Sequence, residues 1–104
     1  MSRIVKLTNE NFDSEIVKDG VVAVVDFYAD WCGPCKMFAP VFEELANGRT
    51  DVVCGKVNVD EAPALAQRFG VMSIPTVIVF KNGEQTAQNV GLAGKAKIIA
   101  MIDA

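Results

Sequence analysis

A chain of 104 residues has the length of one compact domain; at 51% apolar it can fill a core, and at 22% charged it is too apolar to remain unfolded. Its formal net charge is −3 without any basic run, which argues against nucleic acid or an anionic membrane surface as a partner. No apolar stretch reaches the roughly 18 residues of a membrane span, so residues 1–104 read as one soluble domain whose contacts are protein surfaces.

Met1, Ser2 and Arg3 lead into Ile4 with no long apolar run and no small-residue cleavage site. No secretory signal is therefore expected, and a reducing cytoplasm is the expected compartment. Residues 4–7 read as a short edge strand. Thr8 is placed to cap a helix running from Asn9 or Asn11 to Lys18, with Phe12 and Ile16 one turn apart on its buried side. Residues 21–28 are almost continuously apolar and rich in branched side chains, the pattern of a central strand covered on both faces. From Cys35 the period changes: Cys35, Phe38, Ala39, Phe42, Leu45 and Ala46 recur at helical spacing as far as Asn47 and Gly48. Pro40, inside that helix, removes the hydrogen bond to Lys36 and should kink it.

Residues 52–59 read as a second buried strand, and residues 63–69 as a short helix with Pro63 at its start and Gly70 at its end. Residues 76–80 form a further strand. Asn82-Gly83 then signals a tight hairpin into residues 85–90, so the last two strands should be antiparallel. Gly91 and Gly94 break that strand, and residues 95–102 close the chain as an amphipathic helix with Ile98, Ile99 and Ile102 turned inward. The alternation of strands and helices predicts an α/β fold. No repeat, linker or low-complexity segment interrupts it.

Three cysteines in such a chain do not make a disulfide scaffold, and a close pair in a reducing compartment points to metal binding or catalysis. The complete absence of histidine removes every Cys-His nucleophile arrangement and every His-ligated metal site. Protons must be moved by carboxylates, lysines and thiols. A zinc site would need two more ligands beside Cys32 and Cys35, and only Cys54 and carboxylates remain to supply them, so no metal is expected. Cys54 itself, at the start of a buried strand, reads as a small packing residue.

Cys32 lies where the strand turns into the helix. There its sulfur faces unpaired backbone N–H groups and the positive end of the helix macrodipole, both favouring the thiolate. Cys32 is the expected nucleophile, exposed to substrate. Cys35, one turn into the helix on the face of Phe38 and Ala39, should be shielded and act as the resolving thiol. Positions i and i+3 of a regular helix hold their Cβ atoms about 5–6 Å apart, against about 3.8 Å in a disulfide, so Cys32 must sit in a less regular first turn. Gly33 and Pro34 suit that geometry. Asp26 is the one charge within the apolar strand; burial should raise its pKa, which suits a group that accepts a proton.

Trp31-Cys32-Gly33-Pro34-Cys35-Lys36 follows Val25-Asp26-Phe27-Tyr28-Ala29, and Ile74-Pro75-Thr76 stands further on. With Lys56-Val57-Asn58-Val59-Asp60, Phe80-Lys81-Asn82-Gly83 and Val90-Gly91 in matching order and spacing, the chain resembles the thioredoxin family essentially from end to end. The resemblance implies the thioredoxin fold, a central five-stranded mixed β-sheet flanked by four α-helices. It also implies a protein-disulfide reductase without a bound cofactor, acting as electron donor to reductive enzymes through dithiol–disulfide exchange. The implied partners are disulfide-containing protein substrates and a thioredoxin reductase, NADPH/flavin- or ferredoxin-linked, and the implied state is a monomer.

Carried residue by residue, the resemblance makes Asp26 the proton acceptor and Lys56 the partner that holds it ionised. Pro75 matches the family's cis-proline, which lets Ile74 offer its backbone to an extended substrate. Trp31, Gly33, Pro34, Ile74, Pro75, Gly91 and Leu92 would form an apolar substrate-binding collar around the thiols. Three departures stand out. Tyr28 occupies a position where many thioredoxins carry tryptophan, Met72-Ser73 stand where a basic residue and glycine are common, and Gly48-Arg49-Thr50 is a less typical end to the second helix. Two other classes compete. A binding module without turnover is opposed by the intact cysteine pair, and an oxidase or isomerase by Gly33-Pro34 and the missing signal.

Overall fold

A β-sheet separates two large apolar cores, one on each face. The computed structural model describes residues 3–104, and Met1 and Ser2, part of the segment in which no secretory signal was read, lie outside the described residues. The elements run β1 (Val5–Leu7), α1 (Phe12–Ile16), β2 (Val22–Tyr28), α2 (Gly33–Gly48), β3 (Val53–Asn58), α3 (Pro63–Arg68), β4 (Thr76–Lys81), β5 (Glu84–Val90) and α4 (Lys95–Asp103). One sheet holds the strands in the order β1-β3-β2-β4-β5. β1 and β2 both lie parallel to β3, while β4 is antiparallel to β2 and to β5. The expected mixed sheet of five strands, with four helices, is the fold.

Side chains alternate across β2 as a strand's period of two requires. Ala23, Val25 and Phe27 pack with Phe12 and Ile16 of α1 and Leu65 of α3 in one core. Val24 points the other way, with Val77 and Val79 of β4, against Phe38, Phe42 and Leu45 of α2 and Ile98 and Ile102 of α4. Because both faces are covered, β2 can be apolar almost throughout, and Asp26 is the exception that has to be explained. In the first core Phe69 packs edge-on to Phe80 and tilted to Phe12, with centroids 5.2 and 5.0 Å apart. The Arg68 guanidinium covers the Phe69 ring at 4.8 Å and meets the Asp13 carboxylate at 2.7 Å, tying α3 to α1.

Local chemistry explains most boundaries. Asn82 and Gly83 both take positive φ, 54° and 82°, the pair of left-handed residues that a two-residue hairpin needs between Lys81 and Glu84. Gly55 is required for space: a Cβ there would run into the Leu7 side chain, where β1 lies against β3. α2 continues through Pro40 without a break in assignment from Gly33–Gly48. Of the inward residues expected on α4, Ile98 and Ile102 are buried, while Ile99 is only half-buried at the edge of the second core.

Two expectations for the N-terminal region are corrected. α1 ends at Ile16 rather than Lys18, because residues 17–20 are exposed and give another turn no buried face to hold it against the core. Thr8 does not cap it directly. The Thr8 hydroxyl accepts from Asn11 N–H at 3.2 Å and the Asn11 side chain accepts from Thr8 N–H at 2.7 Å, a reciprocal pair that closes the turn before the helix. The less typical end of α2 is held by Arg49, whose guanidinium bonds Asp51 at 2.9 Å and Asp103 of α4 at 3.0 Å.

Candidate active site

Topology delivers three segments to the C-terminal end of β2. The chain leaves β2 at Tyr28 and enters α2 through Trp31 and Cys32. β3, parallel to β2 with Tyr28 beside Asn58, brings its following turn to the same edge. β4 runs the opposite way, and the pairing of Phe27 with Thr76 sets Ile74 and Pro75 beside the start of α2. Ligand sites in open α/β sheets gather at such strand ends, where neighbouring connections diverge.

Cys32 is the N-cap of α2, with extended backbone at φ −86° and ψ 116°, and Gly33 and Pro34 begin the helix. Its Cα lies 5.2 Å from that of Cys35, and the two sulfurs are joined as a disulfide. The Cys35 N–H donates to Cys32 Sγ at 3.2 Å, as a side chain at an N-cap position accepts from the first turn. No acidic residue lies in that turn to oppose a thiolate. The irregular start inferred from disulfide geometry is therefore the cap itself.

The expected contrast in exposure is not found. Cys32 and Cys35 are each only 4% exposed, because the closed disulfide lets each sulfur cover the other, with Ala29, Tyr28, Val59 and Ile74 packed around them. What differs is the side from which each is approached. Cys32 opens into a groove of about 500 Å³ lined also by Trp31, Gly33, Pro34, Met72 and Ile74. Its sulfur lies 3.8 Å from the Ile74 carbonyl oxygen. Cys35 instead borders a crevice of about 160 Å³ with Tyr28, Lys36, Ala39 and Lys56.

Of the expected collar, the groove takes in Trp31, Gly33, Pro34 and Ile74. The Ile74–Pro75 peptide is cis, Pro75 is buried behind the groove, and its carbonyl accepts from Gly91 N–H at 2.8 Å. Leu92 is half exposed and, with Gly91, lies outside the groove lining. Thr76 donates its hydroxyl to the Ser73 carbonyl at 2.6 Å, pinning the loop that carries Met72 and Ile74. Trp31 is 70% exposed, and its indole N–H donates to Asp60 at 2.8 Å. Asp60 was not foreseen as a site residue. It reaches Trp31 because Val59 N–H bonds the Tyr28 carbonyl at 2.9 Å and Asn58 caps the Asp60 N–H at 2.9 Å, contacts between segments far apart in sequence.

Asp26 is wholly buried, and neither carboxylate oxygen has a hydrogen-bond partner. Burial drives its carboxyl up from 3.8 and the positive charge of Lys56 opposes the rise, with a net value of about 7. Lys56 stands opposite Asp26 in the parallel register, yet its ammonium lies over the Tyr28 ring, 4.4 Å from the centroid, rather than bonding the carboxylate. Burial pushes the Cys54 thiol up to about 11, so that buried sulfur stays protonated at neutral pH. Among the described residues, no three His, Cys, Asp or Glu side chains gather as a metal-holding cluster, and no helix is long and apolar enough to cross a membrane.

Comparison with known proteins places this arrangement among relatives. The family model described as Thioredoxin matches residues 3–104. A thioredoxin of Staphylococcus haemolyticus is 52% identical over 103 residues, covering 96% of this chain and 95% of the relative. Thioredoxins of Staphylococcus epidermidis and Staphylococcus aureus are 50% and 48% identical with the same coverage.

Proposed function

The chain belongs to the thioredoxin family and is a thiol–disulfide oxidoreductase, and from that premise we propose how its residues divide the work. The observation that carries the division is the N-cap position of Cys32, with a backbone N–H directed at its sulfur and an apolar groove in front of it. In the reduced protein that N–H and the helix N-terminus stabilise a Cys32 thiolate. The thiolate attacks one sulfur of a substrate disulfide; the substrate S–S bond breaks, one substrate thiolate leaves, and a mixed disulfide forms. Cys35 then gives up its proton and attacks Cys32, closing the internal disulfide and expelling the second substrate thiolate. Two electrons pass from the protein to the substrate.

Asp26, which changes charge near neutral pH and is set on the sheet face against which α2 packs, is assigned the Cys35 proton in its ionised form, with Lys56 favouring that form. Trp31, Gly33, Pro34, Ile74 and Pro75, with Gly91 and Leu92 at the periphery, are assigned to holding an extended stretch of the substrate protein. The dithiol is regenerated by a thioredoxin reductase, for which an NADPH-dependent flavoenzyme or a ferredoxin-linked enzyme serves equally. The protein acts as a single-domain monomer in the cytoplasm, without a bound cofactor.

The test is a pH titration of Cys32 alkylation in the reduced protein, combined with trapping by Cys35→Ser. Cys32 should react with an apparent pKa well below an ordinary thiol, and the Cys35→Ser protein should accumulate a mixed disulfide with insulin. A Cys32 of ordinary acidity that traps nothing would overturn the assignment.

A further inference from the structure

Met72 is 96% exposed, more than any other large apolar side chain among the described residues. It stands between two concavities. One is the groove of about 500 Å³ that holds Cys32; the other, of about 460 Å³, lies over α3, and Val59, Ala66 and Val71 line both together with Met72. A flexible, polarisable thioether at this junction can fit itself to many apolar partners. The same exposure leaves its sulfur open to oxidants, and a sulfoxide is polar and chiral where the thioether was neither.

We propose that Met72 is a peroxide-sensitive recognition residue. Intact, it packs against the apolar flank of a substrate disulfide; as the sulfoxide, it sets a polar oxygen there and weakens docking while the reacting sulfurs are untouched. The proposal rests on the groove being the substrate site. In the modification the Met72 sulfur donates an electron pair to one oxygen of hydrogen peroxide. An S–O bond forms, the O–O bond breaks and water leaves, so methionine is oxidised by two electrons and peroxide reduced.

The molecule contains its own controls. Met37 is 63% exposed on α2 but lines neither concavity, and Met101 is half-buried beside the second core. With Cys32 and Cys35 joined, neither offers peroxide a free thiol, and Cys54 is buried.

The experiment treats the oxidised full chain with hydrogen peroxide, locates the added oxygen by peptide mass spectrometry, removes the peroxide and measures insulin reduction with dithiothreitol as electron source. Met72 should oxidise ahead of Met101. KM for insulin should rise about fivefold, as expected for one polar group against apolar surface, with kcat unchanged. The Met72→Leu protein has its own starting KM, which peroxide should leave in place, whereas Met37→Leu should respond as the parent chain does. Complete oxidation at Met72 with unchanged KM, or an equal rise in Met72→Leu, overturns the proposal alone. An untreated protein that does not reduce insulin overturns the substrate-site reading and this inference with it.

Discussion

On one side of the Cys32–Cys35 disulfide lies an open groove walled by Trp31, Met72 and Ile74, with Cys32 at its floor. On the other lies a narrow crevice reaching Cys35 past Tyr28 and Lys56, while Asp26 sits fully buried in the adjoining strand. The sulfurs are equally covered, so exposure does not make them unequal. Surroundings do: the groove side offers apolar contact and backbone dipoles, and the sheet side offers one ionisable carboxyl in a medium that resists its charge. Recognition and proton transfer are thereby assigned to opposite faces of one bond, where each can be altered without the other.

Asp26→Asn should break this contrast most strongly. The folded carboxyl, at about 7, is raised above its ordinary 3.8. The folded protein thus holds the proton more tightly than the unfolded chain. Its contribution to stability is fully present below about pH 4 and is lost as pH climbs through 7, a total of about 4 kcal/mol at 1.36 kcal/mol per pH unit. Asn should remove most of that slope and make the oxidised protein about 2–4 kcal/mol more stable near pH 8.5 in urea unfolding. The same substitution should slow resolution of the mixed disulfide and flatten its pH dependence. With no histidine in the chain, no other side chain has an ordinary pKa in the upper part of this window, and a resolution rate whose pH dependence between about pH 6 and 7 survived in the variant would remove Asp26 from the mechanism.

Lys56→Met sharpens the sheet side with a smaller effect. The ammonium lowers the Asp26 pKa, so its removal should carry the midpoint of the stability–pH curve to higher pH. Stability below pH 4 should change little. The resolution step, followed by stopped-flow fluorescence, should shift its midpoint in the same direction; an unmoved midpoint would show that Lys56 does not act on Asp26.

The smallest expected effect belongs to the groove. Asp60→Ala removes the acceptor from the Trp31 indole and frees the ring. A lost hydrogen bond of about 1 kcal/mol corresponds to at most about a fivefold rise in KM for insulin, with kcat unchanged. A fall in kcat with constant KM would place Trp31 with the chemistry instead of with docking.

Much of this was legible in sequence, and what was missed shares a cause. The apolar run through residues 21–28, the helical period after Cys35, Asn82-Gly83 and Pro63 each act through near neighbours, and the elements they predict appear within a residue or two. α1 stopped early because its length depends on what the core can cover, not on the propensities of Val17 and Lys18. Asp60 was invisible as the partner of Trp31, since their bond requires β3 to lie beside β2 in one particular register. The shielding of Cys32 escaped for the same reason: Val59 and Ile74, which cover it, arrive on the connections that follow β3 and precede β4.

By itself, the order of residues determined the α/β class, the strand-to-helix junction and two thiols spaced to close one turn at a helix start, because dihedral preference, side-chain period and capping are local. It also singled out Asp26 as a lone charge in an apolar strand. Only the tertiary structure decided that this carboxyl would have no hydrogen-bond partner, that Lys56 would act on it through space, and that Met72 would border the groove in front of Cys32. Desolvation, long-range charge and the shape of a groove depend on which segments meet, and that is settled when parallel β3 and antiparallel β4 take their places on either side of β2.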